Sequence, residues 1–431
     1  MEIYRVQAGD TIEQIAGQFG VPAQAIANVN GLDPLEPLVI GMNLVIPLEI
    51  AMPTTTYIVQ PGDTIYTIAN EQNTTVVQVV NDNGLAYPYT VNPGQVLIIR
   101  PGQPKPIIET LGYYIPPTTE DKAALIRELG QYLTYVGIFD FPITATGEIT
   151  GTIDEAILEA ARLSSVIPLP VLTNLVSGEF DSELAHTILS DESILNTFLD
   201  NIITFLEQYD LQGVIIDFEN LYPEDRDIFT NFIRLLYERL HEVNKILVVN
   251  IAAKWEDLPD RPWAGFFDYR ALSPYMDRAA IMTYEWGYRS GPPFPIAPLP
   301  YVRRVLDYAI SSGISADKIL MGMVFYGYNW QLPYDPSILA TTVTLPQVWD
   351  LARRYNSNIL FDDESQTPHM FYLDENGIQH EIWFEDALSH YLKYQLTDEY
   401  NLNGVFYWVI NQPFDATWYI VSNLFAIGKE V

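Results

Sequence analysis

The sequence predicts an α/β protein: a (β/α)8 TIM-type barrel with a small α+β insertion after its seventh strand, preceded by two small βααβ modules. Three observations predict it. The first hundred residues carry one pattern twice at constant spacing. From Ile107 onward, eight short apolar runs of strand type alternate with amphipathic helical segments. One of those runs, Leu-Gln-Gly-Val-Ile-Ile-Asp-Phe-Glu-Asn from Leu211 to Asn220, ends in the carboxylates Asp217 and Glu219.

Composition bounds the function. The chain has 431 residues, enough for two or three domains, and 48% of them are hydrophobic, enough for a large core. Aromatic residues at 13% are numerous enough to build surfaces that stack on sugar rings. The net charge of -33 argues against nucleic acid and anionic membranes, and requires a polymeric substrate to be neutral or weakly charged. Cysteine is absent, so disulfides, zinc-thiolate sites and a cysteine nucleophile are excluded. His186, His241, His369, His380 and His390 show no metal-ligand spacing, and neither a metal nor another cofactor is expected. The start lacks the basic and apolar regions of a secretory signal, and no apolar run is long enough to span a membrane.

The repeat comes first along the chain. Tyr4, Val6, Gly9, Asp10, Thr11, Ile15, Asn30, Gly31, Gly41 and Ile46 recur as Tyr57, Val59, Gly62, Asp63, Thr64, Ile68, Asn83, Gly84, Gly94 and Ile99, every pair 53 residues apart. Each copy reads strand, helix, helix, strand. In the first, residues 4–6 form a strand, Gly9 and Asp10 turn, and Asp10 caps a helix carrying Ile12, Ile15 and Ala16. A second helix near residues 23–28 stops at Asn30-Gly31, and residues 44–46 close the module. The modules are placed at residues 1–50 and 54–101, with linkers at 53–56 and 101–106; the prolines of the second linker favour a semi-rigid spacer.

The barrel is placed at residues 107–431. Its strands are expected at residues 109–114, 133–139, 168–175, 213–218, 246–251, 279–284, 319–326 and 404–409. Residues 193–208 and 223–243 have helical apolar spacing. A doubly wound sheet is the alternative, but no Gly-rich phosphate loop follows an early strand. The long stretch 329–385 holds a helix near residues 345–355 and a hairpin turning at Asp374-Glu375-Asn376-Gly377, and reads as the insertion.

The acids of the fourth strand stand out because a buried parallel strand is normally apolar throughout. Residues two apart share a face, so Asp217 and Glu219 point the same way as Ile215. An isolated Asp-x-Glu also fits a strand that ends in a solvated turn. A barrel of this type places its active site at the C-terminal ends of its strands. Other strand ends add Tyr113 and Tyr114, then Tyr284, Glu285 and Trp286, then Tyr326, and Trp408. Singly these are ordinary core aromatics; their convergence on one rim around two carboxylates favours a sugar cleft.

The repeats resemble the LysM module in their Gly-Asp-Thr-Ile start, Asn-x-Asn-Gly middle and Gly-x-x-Leu/Val-x-Ile end. The resemblance implies binding of N-acetylglucosamine-containing polymers through Gly9, Asp10, Thr11 and Ile12 with residues 32–38, and through Gly62, Asp63, Thr64 and Ile65 with residues 85–91. Two modules gain avidity on a repetitive polymer. The barrel resembles glycoside hydrolase family 18, the chitinase-like family, in Gly213–Glu219, in Met282-Thr283-Tyr284-Glu285, in Trp408 and in the insertion. It departs where the family pattern Asp-Gly-x-Asp-x-Asp-x-Glu meets Gln212 and Ile215, and where the usual Asp after the sixth-strand Tyr is Glu285. The modules and Glu-Trp-Gly-Tyr at 285–288 look like bacterial spore enzymes that degrade cortex peptidoglycan.

The resemblance implies Glu219 as general acid and base, Asp217 as the residue orienting the substrate acetamide, Tyr284 as its hydrogen-bond donor, and Trp408 as the floor under the cleaved sugar. Glu285, Trp286, Tyr326, Tyr114 and Asn220 are the further substrate-binding candidates. It implies a retaining hydrolase of peptidoglycan, in a spore coat, cortex or cell wall and otherwise in the cytoplasm, with no nucleic-acid, membrane or protein partner. A chitinase, or a catalytically silent glycan-binding protein motivated by the acid missing at Ile215, are the alternatives.

Overall fold

A computed structural model of the chain describes residues 1–48, 54–86, 88–118 and 120–429. The eight barrel strands are Ile107–Tyr114, Tyr135–Pro142, Ile167–Thr173, Gly213–Asp217, Ile246–Ala252, Arg278–Met282, Ile319–Val324 and Gly404–Trp408. They pair in sequence order, and the eighth closes in parallel on the first, Gly404–Tyr407 against Glu109–Gly112. Side chains of alternate residues fill the interior, among them Leu111, Tyr113, Val171, Ile215, Val248 and Phe406. The opposite phase packs against the surrounding helices.

The helices form for the reasons their spacing gives. Glu192–Gln208 is capped by Asp191, which accepts from the backbone of Ser193 and Ile194, and it buries Leu195, Phe198, Leu199, Ile202 and Leu206. Arg226–Glu242 buries Phe229, Phe232, Ile233, Leu236 and Leu240; a 3-10 turn at Pro223–Asp225 leads into it. The single strand expected over residues 319–326 is two strands. Ile319–Val324 belongs to the barrel, and Tyr326–Leu332 opens the insertion three residues earlier than its sequence signal. The insertion is a five-stranded antiparallel sheet with Leu345–Arg354 on one face; its hairpin joins Thr367–Leu373 to Gln379–Trp383.

Each module pairs its first and last strands antiparallel, Glu2–Arg5 with Asn43–Ile46 and Thr55–Ile58 with Val96–Ile99. Thr11, not Asp10, caps the first helix. Both residues can cap, but the Asp10 carboxylate is already engaged by the Gln7 backbone N–H at 2.7 Å and the Tyr4 hydroxyl at 2.8 Å. Thr64 and Asp63 repeat this division. Because a strand begins at Thr55, the linker between modules is shorter than expected; its Pro53 and the end of the first module at 49–50 lie outside the described residues. The second linker is pinned rather than free, with Gly102 N–H donating to Gln72 O at 3.0 Å and Lys105 Nζ to Ser422 O at 2.5 Å.

The first module is built into the barrel. Its Ile26, Ala27 and Leu44 belong to the same apolar cluster as the outer barrel core. Asn43 Nδ2 donates to Asp386 Oδ2 at 2.7 Å, both residues buried. Arg353 of the insertion reaches Pro37 O at 3.0 Å and Glu36 at 2.7 Å. Gly41, at φ 90°, runs so close to the insertion that a Cβ would lie 1.9 Å from Ile359 O. The second module keeps its own core around Ile65, Ile68 and Leu97, and touches the barrel through Asn70 Nδ2 to Ile427 O at 2.6 Å.

Candidate active site

Asp217 ends the fourth strand and Glu219 follows it onto the rim. Ile215 lies below them, fully buried in the interior, against Gly137 of the second strand, where a Cβ would meet its Cδ1 at 3.0 Å. The strand phase thus puts the three side chains where alternation requires. Asn174, one residue past the third strand, fixes the Glu219 backbone: its Oδ1 accepts from Glu219 N–H and its Nδ2 donates to Glu219 O, each at 3.0 Å. Asn220 is exposed, in the left-handed region at φ 56°, and its carbonyl accepts from Ser182 Oγ.

The electrostatics of this pair separate its two members. Burial pushes Asp217 above the usual carboxylate range; a hydrogen bond from Asn250 opposes this, and the Asp140 charge adds to it. Burial, then the charges of Asp217 and Glu285, raise Glu219 further above its ordinary value. Glu219 therefore keeps a proton under conditions where an ordinary glutamate has lost it. Asp217 Oδ1 is buried with no hydrogen-bond partner. A buried acceptor of that kind is costly unless a ligand satisfies it.

Tyr284, two residues beyond the sixth strand, stands edge-on to Phe406 at 6.0 Å. Gly322 makes room for it, since a Cβ there would lie 2.7 Å from Tyr284 Cε1. The Tyr284 phenol is raised well above its usual range by burial, then by Tyr113, Glu219 and Asp217. Trp408 ends the eighth strand, and meets Tyr113 at 5.6 Å and Phe139 at 5.1 Å, both edge to face. Glu285 has φ 65°, unusual for a residue with a side chain. Its carboxylate accepts from the hydroxyls of Tyr326 and, at 2.9 Å, Tyr328, and desolvation raises it against these bonds. Asp217, Glu219, Tyr284, Glu285, Tyr326 and Trp408 are thus gathered around one rim.

Three candidates are not: the exposed Asn220, Tyr114 and Trp286. Tyr114 points outward, its hydroxyl donating to Lys122 O at 2.6 Å, and Tyr113 takes the interior position. The run Gly112-Tyr113-Tyr114 is apolar in both phases, so alternation alone could not choose. Trp286 turns onto Tyr301 of the helix Leu299–Ser311, with ring centroids 5.8 Å apart. In the modules, Ile12 and Ile65 are core residues, and Thr11 and Thr64 are occupied as caps. Gly9, Gly62 and the loop residue Leu35, 92% exposed, remain on the surface; Tyr87 of the second groove loop lies outside the described residues.

Three residues escaped the sequence reading: Asn250, Asp140 and Asn174. Asn250 carried a usable signal, a polar residue inside the apolar strand Ile246–Ala252. Asp140 sits at a register shift between Ile138 and Phe141 that no residue type announces. Among the described residues no three His, Cys, Asp or Glu side chains form a cluster that could hold a metal ion.

An acid held protonated, an unpartnered carboxylate oxygen beside it and an aromatic floor fit glycosidic bond cleavage, and the comparisons with known proteins agree. The model of glycosyl hydrolases family 18 matches residues 170–412. The chain belongs to that family. The LysM domain model matches residues 4–47 and 57–100. A cortical fragment-lytic enzyme of Bacillus anthracis is 34% identical over 435 aligned residues, covering 100% of both chains. The crystal structure of the Bacillus cereus spore cortex-lytic enzyme SleL has a TM-score of 0.83 at 34% identity, covering 99% of each chain. A chitinase from Chromobacterium violaceum has a TM-score of 0.67 at 26% identity, covering 73% of this chain and 98% of its own. As a family 18 member the chain is a glycoside hydrolase, and its LysM and barrel domains indicate binding to N-acetylglucosamine-containing glycans such as peptidoglycan.

Proposed function

We propose that this glycoside hydrolase cleaves the β-1,4 bond that follows N-acetylglucosamine in peptidoglycan, with spore cortex as its substrate. The single observation that carries the reading is Asp217 with a buried, unpartnered Oδ1 beside the raised acid Glu219. Glu219 protonates the leaving oxygen. The substrate's own acetamide oxygen attacks the anomeric carbon, so no second carboxylate has to act as nucleophile; family 18 departs in this way from the two-carboxylate scheme. Asp217 Oδ1 accepts the acetamide N–H and stabilises the oxazolinium that forms. Tyr284 donates to the acetamide oxygen, and Trp408 lies under the sugar. Glu219, now a carboxylate, removes a proton from water as it opens the oxazolinium ring, and the configuration is retained.

Peptidoglycan is favoured by the LysM pair and by full-length similarity to cortex-lytic enzymes. The same similarity supports action at the spore. Among the described residues no helix is long and apolar enough to cross a membrane. Chitin oligosaccharides are the second reading, favoured by the likeness of the barrel to a chitinase. Mass spectrometry of fragments from purified cortex glycan decides between them. The proposal expects N-acetylglucosamine at the new reducing ends; muramic acid there, or cleavage of chitin oligosaccharides alone, overturns it.

A further inference from the structure

The inner acid that the fourth strand lacks leaves Asp217 without a proton-sharing neighbour beneath it. Ile215 occupies that position, fully buried, and Gly137 closes against it. The neighbouring strand supplies something else. Ile216 pairs with Val249, so Asn250 stands level with Asp217 on the interior face. It is 4% exposed, the polar exception in a strand otherwise made of Ile, Leu, Val and Ala. Its Oδ1 accepts the hydroxyl of Tyr113, itself fully buried on the first strand. With Oδ1 taken, the amide N–H2 is the end left for the Asp217 carboxylate.

We infer that Asn250, held by Tyr113, is a positioning residue for Asp217 and takes the place of the missing inner acid. The inference rests on the proposed role of Asp217. An amide donor differs from a shared proton in one respect: it does not titrate. It orients the carboxylate and favours its charged form at every pH, leaving the unpartnered Oδ1 for the substrate. The other groups facing Asp217 do not do this. Asp140 from the second strand acts on it as a like charge, and Glu219, which titrates above Asp217, feels the Asp217 charge without stabilising it. Thr173, level with it on the third strand, has a buried hydroxyl oxygen without a partner. Tyr284 is the remaining close phenol, felt through its own coupling to Asp217.

Asn250→Leu tests this, because leucine keeps the volume and removes the donor. Expected in the full-length chain is a fall in kcat of roughly 10- to 100-fold, the factor that a hydrogen bond to a charged group contributes. KM should change little, and the acidic limb of the kcat/KM profile should move to higher pH, since the ionised form of Asp217 has lost its donor. A second readout needs no activity. Removing the donor raises Asp217 further in the folded state, so the variant loses stability as pH rises through that titration. Thermal melts from about pH 4 to about pH 7 should show a gap to wild type that widens with pH, and the widening should vanish in the Asp217→Asn background, which leaves only the constant cost of the unpaired Tyr113 hydroxyl.

A gap that is constant with pH, or whose widening persists in the Asp217→Asn background, overturns the inference. If Asn250→Leu does not fold, Tyr113→Phe replaces it. That change frees the amide and should shift the melts in the same direction by less, and melts parallel to wild type overturn the inference equally. Wild-type protein inactive on glycans would instead defeat the proposed function, while the melts would still decide the role of Asn250.

Discussion

Asp217→Asn removes one charge and keeps the side-chain shape, so it isolates what the carboxylate contributes to Glu219. Two residues of strand spacing separate the two by about 6.6 Å. At that distance, with an effective dielectric of about 20, two unit charges repel by about 2.5 kcal/mol. That corresponds to about two pH units on Glu219. Glu219 is raised above its ordinary value by burial, by Asp217 and by Glu285. Loss of the second cause should lower it by about one to two units, since the buried amide remains and the other two causes are unchanged. The acid form of Glu219 is the one that protonates the leaving group, so the alkaline limb of kcat/KM should move to lower pH by that amount. The rate at the optimum should also fall by about 10²- to 10³-fold, the usual loss when one stabiliser of transition-state charge is removed. The assay is release of reducing ends from a soluble glycan fragment across a pH series. An alkaline limb that stays in place refutes the coupling, and an unchanged optimum rate refutes the assignment of Asp217.

Three further outcomes follow from the same geometry. Tyr284→Phe removes one hydrogen bond to the acetamide without opening a cavity and should lower kcat by about 10- to 100-fold with the melting temperature nearly unchanged; equal kcat refutes its role. Ile215→Asp restores the family acid below Asp217; two carboxylates at that spacing share a proton, so the acidic limb should move up by about a unit or more, and an unaltered profile counts against the reading of that position. Asn43→Ala leaves Asp386 Oδ2 without its donor in the interface of the first module and should cost about 1–3 kcal/mol by urea denaturation, with activity on short soluble fragments retained; a normal denaturation midpoint shows that the module is not held there.

Much of this molecule was legible in its sequence for identifiable reasons. The repeat announced itself by constant spacing, and Asp217 and Glu219 stood out because charge is expensive on a buried strand. The inward phase of Ile215 followed from alternation measured from those acids. Alternation could not decide between Tyr113 and Tyr114, because the end of the first strand is apolar on both faces and its two polar residues, Glu109 and Thr110, fall one in each phase. It failed again at Trp286, where the chain has left the strand and loop packing on Tyr301 decides. The second linker has the composition of a spacer, but its path is fixed by contacts to Gln72 and Ser422 that only the assembled chain creates. Asn250 was missed for a different reason. The argument that singled out the acids, a polar group inside an apolar strand, applies equally to it, and only the pairing of adjacent strands shows that it stands beside Asp217.

The most direct measurement of the central claim is release of reducing ends from purified cortex glycan by Glu219→Gln, beside wild type at the wild-type pH optimum. Glutamine fills the same space and cannot give up a proton, so the account predicts a loss of about 10²- to 10⁴-fold with an unaltered melting curve and retained sedimentation with the glycan. Release at the wild-type rate contradicts it.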